Sequence, residues 1–202
     1  MQIKGKISCS CGVCSLTVND SRLQFSLLCA CEDCRQAQAW ASKFGGKKPK
    51  DILYLIYLRS DISKVVGLDS MRATQLRQDA RSTRIHCNHC YSCIAVDHFN
   101  YANNIFMILP DHCLQDFDTS SEPKAVINLC DYPGELADLP SDEIPVFHTF
   151  KYTQERQRYL DISRAREVFS PPDTPAEGQT IRDVIASIGE VEVLDLEVGS
   201  IP

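Results

Sequence analysis

No apolar stretch in the sequence is long enough to cross a bilayer: the longest, Ile52 to Leu58, falls far below the roughly 20 residues a spanning helix needs. Its start, Met1 to Ser10, carries lysines but no apolar segment of the kind that makes a signal peptide. The expectation is a cytoplasmic protein with no membrane partner. Tryptophan occurs once, no repeat of fixed period is found, and no cysteine follows Cys130. Nor is the composition that of a disordered chain, since 44% hydrophobic and 24% charged residues are ordinary for a globular protein.

What is plentiful is cysteine, with eleven residues between Cys9 and Cys130. In a reducing compartment many cysteines point to metal or redox chemistry rather than a disulfide framework, and an odd total argues the same way. Charge divides along a similar line. Residues up to Cys113 hold 14 Lys+Arg against 9 Asp+Glu, and those from Leu114 hold 7 against 18, so the net −6 conceals a front of +5 and a back of −11. The expected organisation is a cysteine-rich domain over 1–115 and an acidic, partly helical extension over 116–202, packed on that domain.

The front reads as β-rich, because short apolar or alternating stretches are separated by turn signals. Strands are expected at Ile3–Ser8, Val13–Val18, Leu23–Leu28, Ile52–Leu58, Ser63–Gly67, Ala73–Gln78, Tyr91–Val96 and Asn104–Leu109. A glycine- and lysine-rich loop spans Phe44 to Asp51. From Leu114 to Pro145, proline, aspartate and serine suggest an extended segment on the surface. Helical spacing appears over Gln154–Val168 and Thr180–Ile188, with Thr180 as N-cap and Gly189 as stop.

Three cysteine clusters carry the chemistry: Cys9-Ser10-Cys11, Cys29-Ala30-Cys31-Glu32-Asp33-Cys34, and Cys87-Asn88-His89-Cys90. Thiolates one or three residues apart can meet one metal from a tight turn, and zinc takes four such ligands in a tetrahedron at about 2.3 Å. The simplest assignment joins Cys9, Cys11, Cys87 and Cys90 in a structural zinc that staples the fold. Cys29, Cys31 and Cys34 then form a three-thiolate set. Either the fourth position is open, as in catalytic zinc, or a remote His89, His86, Cys93 or Cys14 closes it. Two zinc sites are therefore expected, the second with the option of partial occupancy.

These clusters resemble those of the glutathione-dependent formaldehyde-activating enzymes and their centromere-protein-V-like relatives. Gly5-Lys6-Ile7-Ser8-Cys9-Ser10-Cys11-Gly12-Val13 resembles the family's opening, with one extra residue before the first cysteine. Cys29-Ala30-Cys31-Glu32-Asp33-Cys34-Arg35 and Arg84-Ile85-His86-Cys87-Asn88-His89-Cys90 resemble its later elements. The likeness covers Lys4 to Cys113 and implies a mainly β fold, a zinc-stapled β-tent of small antiparallel sheets, here with a partly helical C-terminal extension. It also implies carbon–sulfur lyase chemistry, the addition of the glutathione thiol to formaldehyde, at a zinc on Cys29, Cys31 and Cys34. Departures fall beside that site: Ala30 where relatives often carry His, Ala39 and Tyr91 where Gly is usual, and His86 where Phe is common.

Arg35, fixed by the metal turn, is the expected contact for an anionic substrate, with Lys47 and Lys48 in the basic loop as further carboxylate contacts. Cys14, Cys93, Cys113 and Cys130 are expected as buried small hydrophobes, and His98, His112 and His148 as structural. Trp40 either walls a pocket or packs in the core. A small thiol such as glutathione is the expected partner, and a homodimer is a candidate because such pairs are the commonest oligomers. Nucleic acid is disfavoured, since seven thiolates and two zinc ions reduce the front's +5 to about +2. The rival function is a non-catalytic, zinc-stapled protein-interaction module whose contact is the acidic extension, and a third is a redox-active trio of cysteines without metal.

Overall fold

The computed structural model describes residues 3–135, 144–147, 168–169 and 171–199. The helix expected over Gln154–Val168 lies, but for its last residue, outside them, as does His148. Among the described residues no helix is long and apolar enough to cross a membrane.

The protein is mainly β. Strands β1 (Gly5–Ser8), β2 (Ser15–Val18) and β3 (Phe25–Cys29) precede helix α1 (Glu32–Ser42). Then come β4 (Leu53–Arg59), β5 (Ile62–Val66), β6 (Met71–Gln75), β7 (Ser82–Cys87), β8 (Cys93–His98) and β9 (Ile105–Ile108). The C-terminal part adds β10 (Leu114–Gln115), β11 (Val126–Ile127), helix α2 (Ile181–Ile188) and β12 (Val191–Val193). A four-stranded sheet has the order β10-β1-β2-β5, and an eight-stranded sheet the order β11-β3-β4-β9-β8-β7-β6-β12.

The apolar run of β4 is explained by its place inside the large sheet. Ile56 and Leu58 face a core shared with Ile7, Leu16 and Val18 of the small sheet, while Leu53, Leu55 and Tyr57 face a second core with Phe25, Leu27 and Met107. A strand covered on both faces loses polar alternation. β9 repeats the split, with Phe106 and Ile108 on the first side and Ile105 and Met107 on the second.

The chain beyond residue 115 does more than cover the surface. β11 runs parallel to β3 and β12 parallel to β6, so both edges of the large sheet are closed by C-terminal residues. Exposed edges invite pairing with other chains, and these two short strands blunt them. Ala125, Val126 and Ile127 are buried. Helix α2 starts with a capping box between Thr180 and Asp183 and ends at Gly189, as its sequence signals imply. Its Ile181 and Val184 lie in the first core, the Ile181 amide donates to Ser60 Oγ at 2.7 Å, and Arg182 reaches Asp97 at 2.9 Å.

Two elements escape the sequence patterns. In α1 everything from Cys34 to Ala41 is buried, so there is no amphipathic stripe to read. In β7 the polar Arg84 and His86 are themselves buried. Of the four cysteines expected as filler, Cys14, Cys93 and Cys113 are buried, but Cys130 is exposed, because it sits in a surface turn beyond β11.

If α2 belongs to the cooperative unit, truncating its anchor must destabilise the whole protein. Ile181→Ala should lower the unfolding free energy by about 2–4 kcal/mol, read from urea denaturation followed by tryptophan fluorescence. An unchanged midpoint would mean that the helix unfolds separately.

Candidate metal centres

The first centre is built from two turns. One links β1 to β2 and carries Cys9 and Cys11; the other links β7 to β8 and carries Cys90, with Cys87 at the end of β7. The four sulfurs lie within 4.8 Å of one another, with Cys9 Sγ 3.4 Å from Cys11 Sγ and Cys11 Sγ 3.7 Å from Cys87 Sγ. Backbone amides point at the sulfurs: Cys14 N donates to Cys9 Sγ at 3.2 Å and His89 N to Cys87 Sγ at 3.4 Å. Such donors favour the thiolate, the form that binds metal. Burial raises the Cys90 thiol, but hydrogen bonds from Ser10 and Ser92 outweigh it and bring it down to about 5. Those serines also join the turns, Ser10 N donating to Ser92 Oγ at 3.0 Å.

Each turn passes through the left-handed region just after its second cysteine, at Gly12 (φ +78°) and Tyr91 (φ +53°). A non-glycine residue there costs about 1 kcal/mol or more. Tyr91 recovers this through its ring, which stacks on Phe44 at 4.9 Å, meets Trp40 edge-on at 5.6 Å and lies under Arg72 at 5.1 Å. Aromatic and cation–π contacts of this kind contribute about 0.5–1.5 kcal/mol each, enough to hold the turn. Trp40 is therefore a packing residue, 5.4 Å from the His86 ring. His86 is buried and neutral, its proton affinity lowered to about 3 by burial and by Arg84 and Arg72 nearby.

The second centre lies where β3 turns into α1. Cys29 ends the strand, Cys31 caps the helix and Cys34 sits in its first turn, and their sulfurs lie within 4.8 Å of one another. Among the described residues no other His, Cys, Asp or Glu joins them, so none of His89, His86, Cys93 and Cys14 closes the set. Cys31 N donates to Cys29 Sγ at 3.4 Å and Cys34 N to Cys31 Sγ at 3.3 Å. Cys29 and Cys34 are buried and Cys31 is half-exposed, which makes Cys31 the accessible corner. Hydrogen bonds from Cys29 and Cys31, aided by Arg84, hold the Cys34 thiol well below its ordinary value despite burial, while the bond to Cys29 pushes Cys31 up.

Both sets consist wholly of thiol sulfur, the donor type that selects zinc and other soft ions. The four-cysteine set matches a closed tetrahedral site, and the three-cysteine set one with a position to spare.

Arg35 corrects an expectation. It is buried, and its guanidinium donates to the carbonyls of Ala30, of Asp51 at 3.4 Å and of Asp131 at 2.5 Å, so it braces the metal turn and has no fork to offer an anion. Lys47 and Lys48 are exposed; Lys47 lies 4.0 Å from Asp111, which Lys50 holds at 2.6 Å. Among the described residues no hydrogen bond or ion pair joins either lysine to the three cysteines. Two partners were missed. Arg84 is buried against Cys34, and Asn128 donates to Cys29 Sγ at 3.6 Å. Arg84 stands three residues before Cys87 in the quoted motif, whereas nothing local marks Asn128.

The two centres should differ in what they support. Cys87→Ser should remove one metal and unfold the junction between the sheets, giving a broad, lowered thermal transition; Cys31→Ser should remove one metal and leave the fold cooperative. Equal losses of stability would contradict this division of roles. Metal uptake by the three-cysteine set near neutral pH should release protons, since the metal binds thiolate and not thiol. Calorimetry in buffers of different ionisation enthalpy, with the four-cysteine centre filled beforehand, counts them, and affinity should fall as pH falls.

No protein-family model matches the chain, and no curated protein sequence matches it.

Proposed function

We propose that this protein is a zinc-dependent carbon–sulfur lyase-like enzyme that joins a small thiol to an aldehyde, glutathione and formaldehyde being the pair implied by family resemblance. The observation that carries the reading is the difference between the centres: four sulfurs converge at one and three at the other. Cys9, Cys11, Cys87 and Cys90 would hold the structural zinc, and Cys29, Cys31 and Cys34 the working one. When bound there, zinc supplies a Lewis-acid charge that favours a thiolate over a thiol or polarises an aldehyde oxygen.

The chain's own residues have definite tasks in this reaction. Arg84 holds its positive charge against Cys34 and offsets the excess negative charge of three thiolates around a divalent ion. Asn128 and the amides of Cys31 and Cys34 fix the sulfurs by N–H···S bonds. Arg35 locks the turn, and Lys47 and Lys48 remain the exposed cations for the carboxylates of a peptide thiol. Addition forms one carbon–sulfur bond and opens the carbonyl, and the thiol proton ends on the carbonyl oxygen, so no redox partner is required.

The test is the rate at which glutathione and formaldehyde form S-hydroxymethylglutathione, followed by NMR exchange. The zinc-loaded protein should accelerate it and the Cys31→Ser variant should not. If the loaded protein neither binds glutathione nor speeds its addition to any small aldehyde, the enzyme reading fails. The second reading, a non-catalytic interaction module with two structural metals, would then stand; the burial of Cys29 and Cys34 favours it.

A further inference from the structure

The chain that follows β11 closes around the three-cysteine centre. Ile127 pairs with Cys29 in the parallel register, and its carbonyl accepts from Ala30 N at 3.0 Å. Asn128 reaches Cys29 Sγ at 3.6 Å. On the far side, Asp131 accepts from Glu32 N through Oδ2 at 3.2 Å and from Arg35 through its carbonyl at 2.5 Å. Cys130 stands between these anchors in the single turn Leu129–Asp131, its thiol exposed and donating to Asp131 Oδ1 at 3.3 Å. The residues on both sides of Cys130 therefore touch the turn that carries Cys29, Cys31 and Cys34. Glu32, whose amide Asp131 binds, directly follows Cys31, the half-exposed corner of the cluster.

We propose that Cys130, whose sulfur here lies on Asp131 and outside the three-sulfur cluster, swings in as the exchangeable fourth ligand when Cys29, Cys31 and Cys34 hold a metal, and is displaced by an incoming small thiol. The inference rests on the reading of those three cysteines as a metal site. Three thiolates leave a tetrahedral ion one donor short, and Cys130 offers the same donor atom from a tethered turn. Its side chain is already at the surface, so a move toward the metal uncovers no core. A tethered ligand acts at an effective concentration in the millimolar range, so a small thiol at similar concentration competes with it on near-equal terms. The exchange replaces thiolate by thiolate: the incoming thiol gives its proton to the Cys130 sulfur, and the charge of the site does not change.

Zinc-edge X-ray absorption on the full-length, zinc-loaded protein tests this directly. Averaged over both centres, wild type should show about four sulfurs per zinc, and both Cys130→Ser and Cys130→Ala about 3.5, with zinc content unchanged at two per chain. Identical sulfur counts in wild type and the two variants would overturn the role of Cys130 while leaving the three-cysteine metal site intact. The double variant Cys31→Ser/Cys34→Ser supplies the separate control, because it leaves only Cys29 and Cys130 as thiol donors. It should hold one zinc per chain with about four sulfurs, and if it retains two, the three-cysteine site itself is wrong and the inference falls with it.

Discussion

Everything in this structure depends on bringing the turn after β1 against the turn after β7, 76 residues apart in the chain between Cys11 and Cys87. The two turns belong to different sheets, and the apolar contacts between those sheets are spread over short strands of four to seven residues. Four thiolates within 4.8 Å of one another would repel, whereas as thiols they share protons, Cys9 Sγ lying 3.4 Å from Cys11 Sγ and Cys11 Sγ 3.7 Å from Cys87 Sγ. A divalent ion reverses the sign of that repulsion. Bound between the four sulfurs, such an ion would clasp the two turns, and its binding free energy would count toward folding.

The same constraint explains why local strain is tolerated nearby. For the β7–β8 turn to present Cys90 to the metal, Tyr91 must take a left-handed conformation, and its N–H donates to Cys87 O at 3.0 Å. The ring that makes this awkward also repays it, by joining Trp40 and Phe44 at the end of α1. α1 begins at the second centre with Cys31 and ends at the aromatic group beside the first. The eleven residues of α1 thus span the distance between the two centres.

How much of this could be read from the chain follows from range. The cysteine sets were legible because ligand spacing is a local property: each pair or trio lies within six residues, and all seven side chains meet as their spacing implies. Most strands were legible for the same reason. Arg35 was not, because its role depends on the carbonyl of Asp131, 96 residues away, which turns a plausible anion contact into a brace. Asn128 at Cys29 and the closure of both sheet edges by C-terminal residues are likewise long-range facts. The acidic extension meets the front domain through strand pairing, the burial of Ile181 and Val184, and the ion pairs Arg182–Asp97 and Arg72–Glu192.

Charge bookkeeping then decides what the second centre tolerates. Three thiolates around a divalent ion leave a net −1 in a pocket where Cys29 and Cys34 are buried, and a buried charge needs a partner or shifts its protonation. Arg84 is that partner: it is buried, lies against Cys34, and is held by the carbonyl of Asp33 at 3.4 Å. With Arg84 counted, the filled three-thiolate centre is neutral, and a fourth ligand decides the balance again. A neutral water leaves it neutral, whereas a thiolate restores −1 and must be offset from the exposed side at Cys31. There the amide of Glu32 at the start of α1 supplies a fixed positive dipole that Asp131 now occupies. A thiolate approaching from that side therefore competes with the Asp131 carboxylate for the same positive end of the helix, which ties occupancy of the metal's last position to the posture of the turn over it.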